Sequence, residues 1–174
     1  GTKNPGRVQY RLFANLVVMD KIIKSEAVLN VLLVGNNPID LSRTEEGLGQ
    51  IQNHRVIIET AFDLTSILER LSRFRPNFIL LDDNLGSTGL RLIVEALQAH
   101  RKTKNIPVTV LKNSNYIDTI NAGVMNYILK QSITGDALYT AFINSLKFKR
   151  TQQYLQQAYN KRRGQFLRMV KLQS

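Results

Sequence analysis

Phe78-Ile79-Leu80-Leu81-Asp82-Asp83-Asn84 is an uninterrupted apolar run that stops at two carboxylates and an amide. An apolar run without alternation is typical of a strand that is buried on both faces, as in a parallel sheet covered by helices. In such sheets the binding sites lie beyond the carboxyl ends of the strands, near the point where the strand order reverses. The polar residues that follow each predicted strand are therefore the first candidates for function.

Four further short apolar runs lie on both sides of this one, with helical patterns between them. The sequence predicts strands at 31–34, 56–58, 78–81, 107–111 and 127–129, and helices at 39–52, 65–73, 90–100, 116–122 and from about 135 onward. A glycine-bearing loop is expected over 86–89. This alternation of strands and helices predicts an α/β fold with a five-stranded, parallel, doubly wound sheet.

The 174-residue chain has a formal net charge of +11, and most of that charge lies at one end. Residues 31–136 contain eleven basic and eleven acidic side chains, whereas residues 137–174 contain eight basic side chains and no acidic one. A uniformly basic nucleic-acid-binding domain would not show this division. A neutral module with a basic helical extension would show it.

The composition also excludes several classes of site. The chain has no cysteine, which rules out disulfides, thiolate zinc sites and cysteine nucleophiles, and two histidines are too few for a histidine metal cluster. No apolar run is long enough to span a bilayer. Glycine-rich phosphate loops and nucleophile elbows are missing. We therefore expect a cytoplasmic, non-enzymatic protein without a metal, a cofactor or a membrane partner.

Four segments together carry a family resemblance. They are Asp82-Asp83-Asn84-Leu85 with Gly89, the run Ile106–Leu111, Ala122-Gly123 before Tyr127–Lys130, and Val31–Val34 before Asn37-Pro38. In this order and spacing they resemble the receiver domain of two-component response regulators, the CheY-like superfamily. The resemblance covers roughly residues 30–150.

The resemblance assigns expected roles to the residues after the strands. In that family two acidic residues after the first strand and an aspartate after the third hold Mg²⁺, while a hydroxyl after the fourth strand and a lysine after the fifth contact the phosphoryl group. Asp82 and Lys130 match the phospho-accepting aspartate and the lysine. Gly35 and Asn36 stand at the two acidic positions, and Lys112 stands at the hydroxyl position. Because a hard dication prefers anionic oxygen ligands, these departures predict a degenerate pseudo-receiver.

Three interpretations of Asp82 remain open at this point. In the first, Lys112 and Lys130 hold Asp82 in a permanent ion pair. In the second, Lys112 points to solvent and Asp82 has no function. In the third, Asp82 is still phosphorylated by an unusual route. Asp83 is expected to face solvent or to cap its loop. Tyr127 matches the switch aromatic of the family and is expected to be a fixed surface or interface ring, with a half-buried structural tyrosine as the alternative.

Two extensions flank the receiver-like domain of residues 30–148. Residues 1–29 are predicted to form a helical extension, with a strand around 17–18 as the alternative. Residues 149–174 are predicted to form a basic helical extension or linker that continues the last helix, with or without a break near Gly164. A helix of this length exceeds what a five-stranded sheet can cover, so its far half must project and needs a partner for its apolar side chains.

The sequence thus predicts a non-enzymatic signal-transduction module, a pseudo-receiver that acts through protein–protein contacts within a larger sensor or regulator. The expected contact surfaces are the C-terminal helix and the face formed by the fourth predicted helix, the fifth strand and the fifth helix. They would serve a protein partner or self-association. Two alternatives remain: a nucleic-acid-binding transcriptional regulator that uses the basic C-terminal helix, and a receiver still phosphorylated on Asp82.

Overall fold

The computed structural model describes residues 28–113 and 124–173, together with Ala14 and Val17. Within these ranges five strands form one sheet: β1 (Leu29–Val34), β2 (Val56–Ala61), β3 (Phe78–Asp82), β4 (Val108–Lys112) and β5 (Val124–Leu129). The strand order is β2-β1-β3-β4-β5, and every pairing is parallel. The order reverses between β1 and β3, so the crevice at their carboxyl ends is where an open α/β sheet binds its ligands.

Four helices of the described residues cover the sheet: α1 (Pro38–Gly49), α2 (Leu64–Leu71), α3 (Gly86–Ala99) and α4 (Gly135–Gln173). Single 3₁₀ turns follow β3 at Asp83–Leu85 and β5 at Lys130–Ser132. Helices α1 and α4 contribute to one hydrophobic core, and α2 and α3 contribute to the other. The predicted doubly wound α/β architecture is confirmed.

Successive side chains of the central strands alternate between these two cores. Leu33 and Leu80 pack on the same side as Phe142 of α4, whereas Leu32 and Leu81 pack on the side of α2 and α3. All five are fully buried. The central strands are apolar without interruption because helices cover both faces of the sheet.

The first turn of α1 follows directly after β1 because the local sequence caps it there. The side chain of Asn37 accepts hydrogen bonds from the backbone N–H groups of Ile39 and Asp40, and Pro38 occupies the first helical position. A side-chain acceptor and a proline at these positions both favour a helix start. The cap thereby fixes Asp40 in the first turn, at the carboxyl edge of the sheet.

The segment after β3 differs from the expected loop over 86–89. The chain makes a 3₁₀ turn immediately after Asp82, and α3 already begins at Gly86. Gly86 has a φ of 77°, a backbone conformation that residues with a Cβ rarely adopt. Gly86 therefore joins the 3₁₀ turn to α3 without an intervening loop. The predicted helix over 116–122 lies outside the described residues. Of the predicted N-terminal extension over 1–29, the described residues are Ala14 and Val17, which are both helical, Val28, and Leu29, which opens β1.

Helix α4 is a single helix of 39 residues, which corresponds to about 58 Å. Its first three turns bury Leu138, Phe142 and Ser145 against the sheet, and from Arg150 onward nearly all of its residues are exposed. It continues through Gly164 without a break. No helix of the described residues is both long enough and apolar enough to cross a membrane.

We predict that truncation after Arg150 leaves the α/β body folded, because the removed turns bury almost nothing against it. The free energy of unfolding should change by about 1 kcal/mol or less. Urea denaturation of both chains, followed by circular dichroism at low protein concentration, measures this difference. A truncated chain that aggregates or unfolds would show that the far half of α4 stabilises the body.

Candidate functional site

The ammonium group of Lys130 lies at the centre of the crevice, in contact with three carboxylates. Its Nζ atom is 2.5 Å from Oδ1 of Asp82, 3.1 Å from Oδ2 of Asp40 and 3.1 Å from Oδ1 of Asp83. The side chain of Lys130 is only 8% exposed. We refer to these four residues as the Lys130 cluster.

Four different elements bring the Lys130 cluster together. Asp82 is the last residue of β3, and Asp83 opens the 3₁₀ turn that follows it. Asp40 comes from the first turn of α1 after β1, and Lys130 opens the 3₁₀ turn after β5. Because the carboxyl ends of parallel strands meet at one edge of the sheet, residues 90 positions apart contact each other here.

Two asparagines hold the carboxylates in place. The backbone N–H of Asn84 donates to Oδ1 of Asp82 at 2.8 Å, and its side-chain amide donates to Oδ2 of Asp40 at 2.6 Å. Asn113, directly after β4, donates from its backbone N–H and its side-chain amide to the two oxygens of Asp83, at 2.8 and 2.9 Å. The cluster is therefore fixed by hydrogen bonds from two loops as well as by the ammonium group.

The charges of the cluster shift two pKa values in opposite directions. Burial by itself would lower the pKa of Lys130, but hydrogen bonds to Asp82, Asp40 and Asp83 outweigh it and raise this pKa above its ordinary value. The hydrogen bond with Lys130 lowers the pKa of Asp40, against the opposing effect of burial. The lysine and the Asp40 carboxylate are thus both stabilised in their charged forms at neutral pH.

One buried oxygen of the cluster has no hydrogen-bond partner among the described residues. Asp82 is fully buried, and its Oδ1 accepts from Lys130 and Asn84, whereas its Oδ2 is the oxygen without a described partner. A buried polar atom without a partner carries a desolvation cost of about 1–3 kcal/mol. The structure therefore holds Asp82 at some energetic cost, through one of its two oxygens.

The two positions directly after β1, Gly35 and Asn36, supply no carboxylate to this crevice. A Cβ atom on Gly35 would lie 2.8 Å from a methyl carbon of Leu41 and 3.0 Å from the Cβ of Asp82. Asn36 donates from its side-chain amide to the backbone oxygen of Asn84 at 3.4 Å, so it bridges the two loops. A side chain at Gly35 would therefore require Leu41 to move, and Asn36 acts as a donor.

Lys112 was expected either to pair with Asp82 or to point to solvent, and it does neither. Its ammonium group lies 4.7 Å from the ring centroid of Tyr127, and the residue is only 9% exposed. It therefore does not point to solvent. Within the described residues, the ion pair of Asp82 is with Lys130. Tyr127 is 46% exposed, so one side of its ring covers Lys112 while the rest faces outward.

The charge balance of the site also differs from the expected one. One of the three interpretations placed two lysines around one carboxylate, whereas three carboxylates surround Lys130. Asp83 was expected to face solvent or to cap its loop, and it contacts Lys130 and accepts from the backbone N–H of Asn113. Asp40 was not identified from the sequence, although an asparagine cap with proline at the next position is a recognisable helix start. That signal could have placed Asp40 beside the crevice.

The arrangement does not fit Mg²⁺, the metal that the resemblance implies. Mg²⁺ requires near-octahedral oxygen ligands at about 2.0–2.1 Å, but the three carboxylates converge on the ammonium group of Lys130. Their oxygens also accept from Asn84 and Asn113. Among the described residues, no group of three or more His, Cys, Asp or Glu side chains is arranged to hold a metal ion.

Comparisons with solved structures find the same architecture in receiver domains. The chain is 18% identical to the receiver domain of a sensor histidine kinase from Pseudomonas aeruginosa, with a TM-score of 0.57, covering 68% of this chain and 98% of that one. That structure contains a magnesium ion in its active-site cleft. The chemotaxis response regulator CheY4 of Vibrio cholerae is 17% identical, with a TM-score of 0.55 and coverage of 68% and 99%.

A third structure has a higher sequence identity. The phosphorylated cyanobacterial phytochrome response regulator RcpA is 26% identical, with a TM-score of 0.50 and coverage of 72% and 96%. No protein-family model and no curated protein sequence matches the chain. The strand order, the helices on both faces of the sheet and the similarity to these three structures all lead to one conclusion. The chain has the fold of a response-regulator receiver domain.

Proposed function

We propose that this protein is a pseudo-receiver, a non-enzymatic signalling module that works through protein–protein contacts within a larger sensor or regulator. The observation that carries the proposal is the Lys130 cluster. A lysine ammonium group occupies the point at which Asp40, Asp82 and Asp83 converge. The receiver fold is thus kept, while the cation that neutralises its central carboxylates belongs to the chain itself.

This arrangement is poorly suited to phosphoryl transfer. Transfer to a carboxylate gathers negative charge, which a metal ion and cationic side chains must neutralise. Lys130 is already in contact with three carboxylates, so it has little capacity to neutralise a further anion. Gly35 offers no carboxylate to a metal ion, and a side chain at that position would have to displace Leu41. The site is therefore better suited to a permanent structural role than to a cycle of phosphorylation and dephosphorylation.

The surface supports a role in protein contacts. Tyr127 is exposed beside β5, and large apolar side chains remain exposed along the far half of α4. Exposed apolar surface of this extent is typical of protein–protein contact sites. A module of this kind would transmit a signal through its contacts and not through a modification of Asp82.

We predict that incubation with acetyl phosphate and Mg²⁺ leaves the intact mass of the protein unchanged. The reason is that Asp82 is bonded to Lys130 and that no metal-binding arrangement is present among the described residues. Intact-mass spectrometry at several time points measures the outcome. RcpA, which has been obtained in a phosphorylated form, serves as the positive control for the reagent.

A gain of one phosphoryl group would contradict the pseudo-receiver proposal if it disappears in Asp82→Asn. Melting curves between 0 and 10 mM Mg²⁺ give a second readout. We expect no change in Tm, and a Mg²⁺-dependent increase that is lost in Asp40→Asn would show that the three carboxylates bind the metal after all.

We predict that Lys130→Met strongly destabilises the fold, because it leaves Asp40, Asp82 and Asp83 without their common counter-charge. Breaking a buried ion pair from one side costs about 3–5 kcal/mol, and the partial exposure of Asp40 and Asp83 reduces that figure. Lys104→Met makes the same chemical change at an exposed residue and should alter stability by about 0.5 kcal/mol or less. Equal effects of the two variants in urea denaturation would exclude a structural role for the cluster.

We also predict a pH dependence that originates at Asp40. Its pKa is lowered in the folded protein, so ionised Asp40 stabilises the fold above the ordinary carboxyl pKa, and this contribution is lost as the pH falls through the folded value. The difference in stability between the wild type and Asp40→Asn should therefore be full at pH 7 and shrink below about pH 4. Denaturation midpoints from pH 3 to 7 measure it. A difference that does not depend on pH would contradict the ion pair with Lys130.

A further inference from the structure

The exposed half of α4 carries a row of cationic side chains on one side. Arg150, Lys161 and Arg168 are exposed, and Lys171 follows one turn later. At about 100° per residue, the first three point within about 20° of one another, and Lys171 lies about 60–80° to one side of them. We call these four residues the cationic face of α4. At a rise of about 1.5 Å per residue, the face is about 32 Å long.

The charges around the cationic face do not offset it. Residues 31–136 carry equal numbers of basic and acidic side chains, whereas residues 137–174 carry eight basic side chains and no acidic one. The acidic residue of α4 is Asp136, which lies in its first turn, about 21 Å before Arg150. Charge of one sign along a surface attracts ions of the opposite sign. The far half of α4 therefore attracts polyanions.

The cationic face is accessible to a large partner. From Arg150 onward nearly all residues of α4 are exposed, and the helix continues unbroken to Gln173. With its side chains, such a helix is a rod about 10–12 Å across. An extended polyanion can therefore lie along the cationic face without displacing any packed part of the sheet or its helices.

The side chains between the cations favour a nucleic acid over an acidic protein. Gln157 and Gln165 lie on this side of the helix, and Tyr154 is an aromatic residue beside them. A protein interface depends on a buried apolar core, which a face of amides and cations does not offer. Amide and hydroxyl groups, by contrast, commonly donate to phosphate and sugar oxygens.

The position of the apolar side chains argues against a lipid surface. Leu155, Tyr159 and Phe166 point roughly 120–180° away from the cationic face. A helix that binds a membrane inserts its apolar side, and this would hold the cationic face about one helix diameter, 10–12 Å, from the headgroups. That distance exceeds the Debye length of about 8 Å at physiological salt, so the attraction would be largely screened.

We propose that the cationic face of α4 binds the phosphate backbone of duplex DNA without reading its sequence. This activity goes beyond the signalling function proposed above and does not depend on the state of Asp82. Duplex DNA carries one negative charge per about 1.7 Å of its axis. Its major groove is about 12 Å wide and admits an α-helix, so α4 can lie in the groove with the cationic face against one phosphate wall.

The same face is less suited to other nucleic acids. Proteins that bind single strands stack successive bases on several aromatic side chains, whereas Tyr154 is the aromatic residue beside the cationic face. Duplex RNA has a deep, narrow major groove that protein side chains do not enter. Phosphate contacts carry no sequence information, so two unrelated DNA duplexes should bind with equal affinity.

The response to salt gives the first test. Each phosphate neutralised by a lysine or arginine contributes about −0.9 to the slope of log K against log salt concentration, so four contacts predict a slope of about −3 to −4. Fluorescence anisotropy of labelled duplexes of about 20 base pairs, with the full chain in about 50–300 mM NaCl, measures this slope. We expect a dissociation constant of about 10⁻⁶–10⁻⁴ M at physiological salt.

Two double variants with the same net charge separate the cationic face from the overall charge. Arg150→Gln with Lys161→Gln removes two charges of the face. Arg162→Gln with Arg163→Gln removes two exposed charges that point roughly 100–160° away from the row. Each variant lowers the formal net charge by two, from +11 to +9. Glutamine is as good a helix former as lysine or arginine, and circular dichroism verifies that α4 is retained.

We expect the first variant to bind duplex DNA about 100-fold more weakly at about 50 mM NaCl, with a slope smaller in magnitude by about two. The second should weaken binding by less than about 3-fold, because its charges are directed elsewhere. Equal losses in the two variants would overturn the proposal, since overall charge alone would then explain the binding. So would a wild-type chain that does not bind at this salt concentration.

Competing polyanions complete the experiment. Single-stranded DNA and duplex RNA of the same length, poly-glutamate, and vesicles containing anionic lipid are titrated at the same salt concentration. Duplex DNA should bind more tightly than each of them. Equal or tighter binding of any one would overturn the assignment to duplex DNA and identify the preferred polyanion. None of these results bears on the acetyl phosphate experiment, so failure here is distinct from failure of the pseudo-receiver proposal.

Discussion

The ion pairs between Lys130 and three carboxylates connect the carboxyl ends of β1, β3 and β5. Asp82 follows β3, Asp40 follows β1, and Lys130 follows β5, so one ammonium group ties together the carboxyl ends of a central strand, its neighbour and an edge strand. Buried charges of this kind are stable only as a complete set. The geometry of the crevice depends on this set.

The same cluster separates the fold of this protein from the chemistry that the fold suggests. Fold and function are independent in principle, because function depends on the side chains placed on the fold. Here the crevice lies at the reversal of strand order and contains an aspartate and a lysine. Gly35 supplies no carboxylate, and the lysine occupies the point where the acids meet. The sheet and its helices hold β5 and the first turns of α4 in place.

Helix α4 begins on the sheet and projects beyond it. Its first turns are fixed by buried contacts of Leu138 and Phe142, so the direction of its exposed half is set by the core. Large apolar side chains, among them Phe148, Leu155 and Phe166, remain exposed along the projecting turns. A contact made there acts on the same continuous helix that packs against the sheet.

The sequence by itself determined the fold, the order of the five strands and the positions of Asp82 and Lys130 at strand ends. Apolar runs, helix periodicity and strand-end polarity are local patterns, and the parallel architecture follows from them. Only the tertiary structure decided that Asp40 and Asp83 join Lys130, and that Lys112 lies against Tyr127. Those contacts depend on side-chain directions across loops and between residues up to 90 positions apart. No local pattern records them, because distances between distant side chains are fixed only when the strands pair and the helices pack.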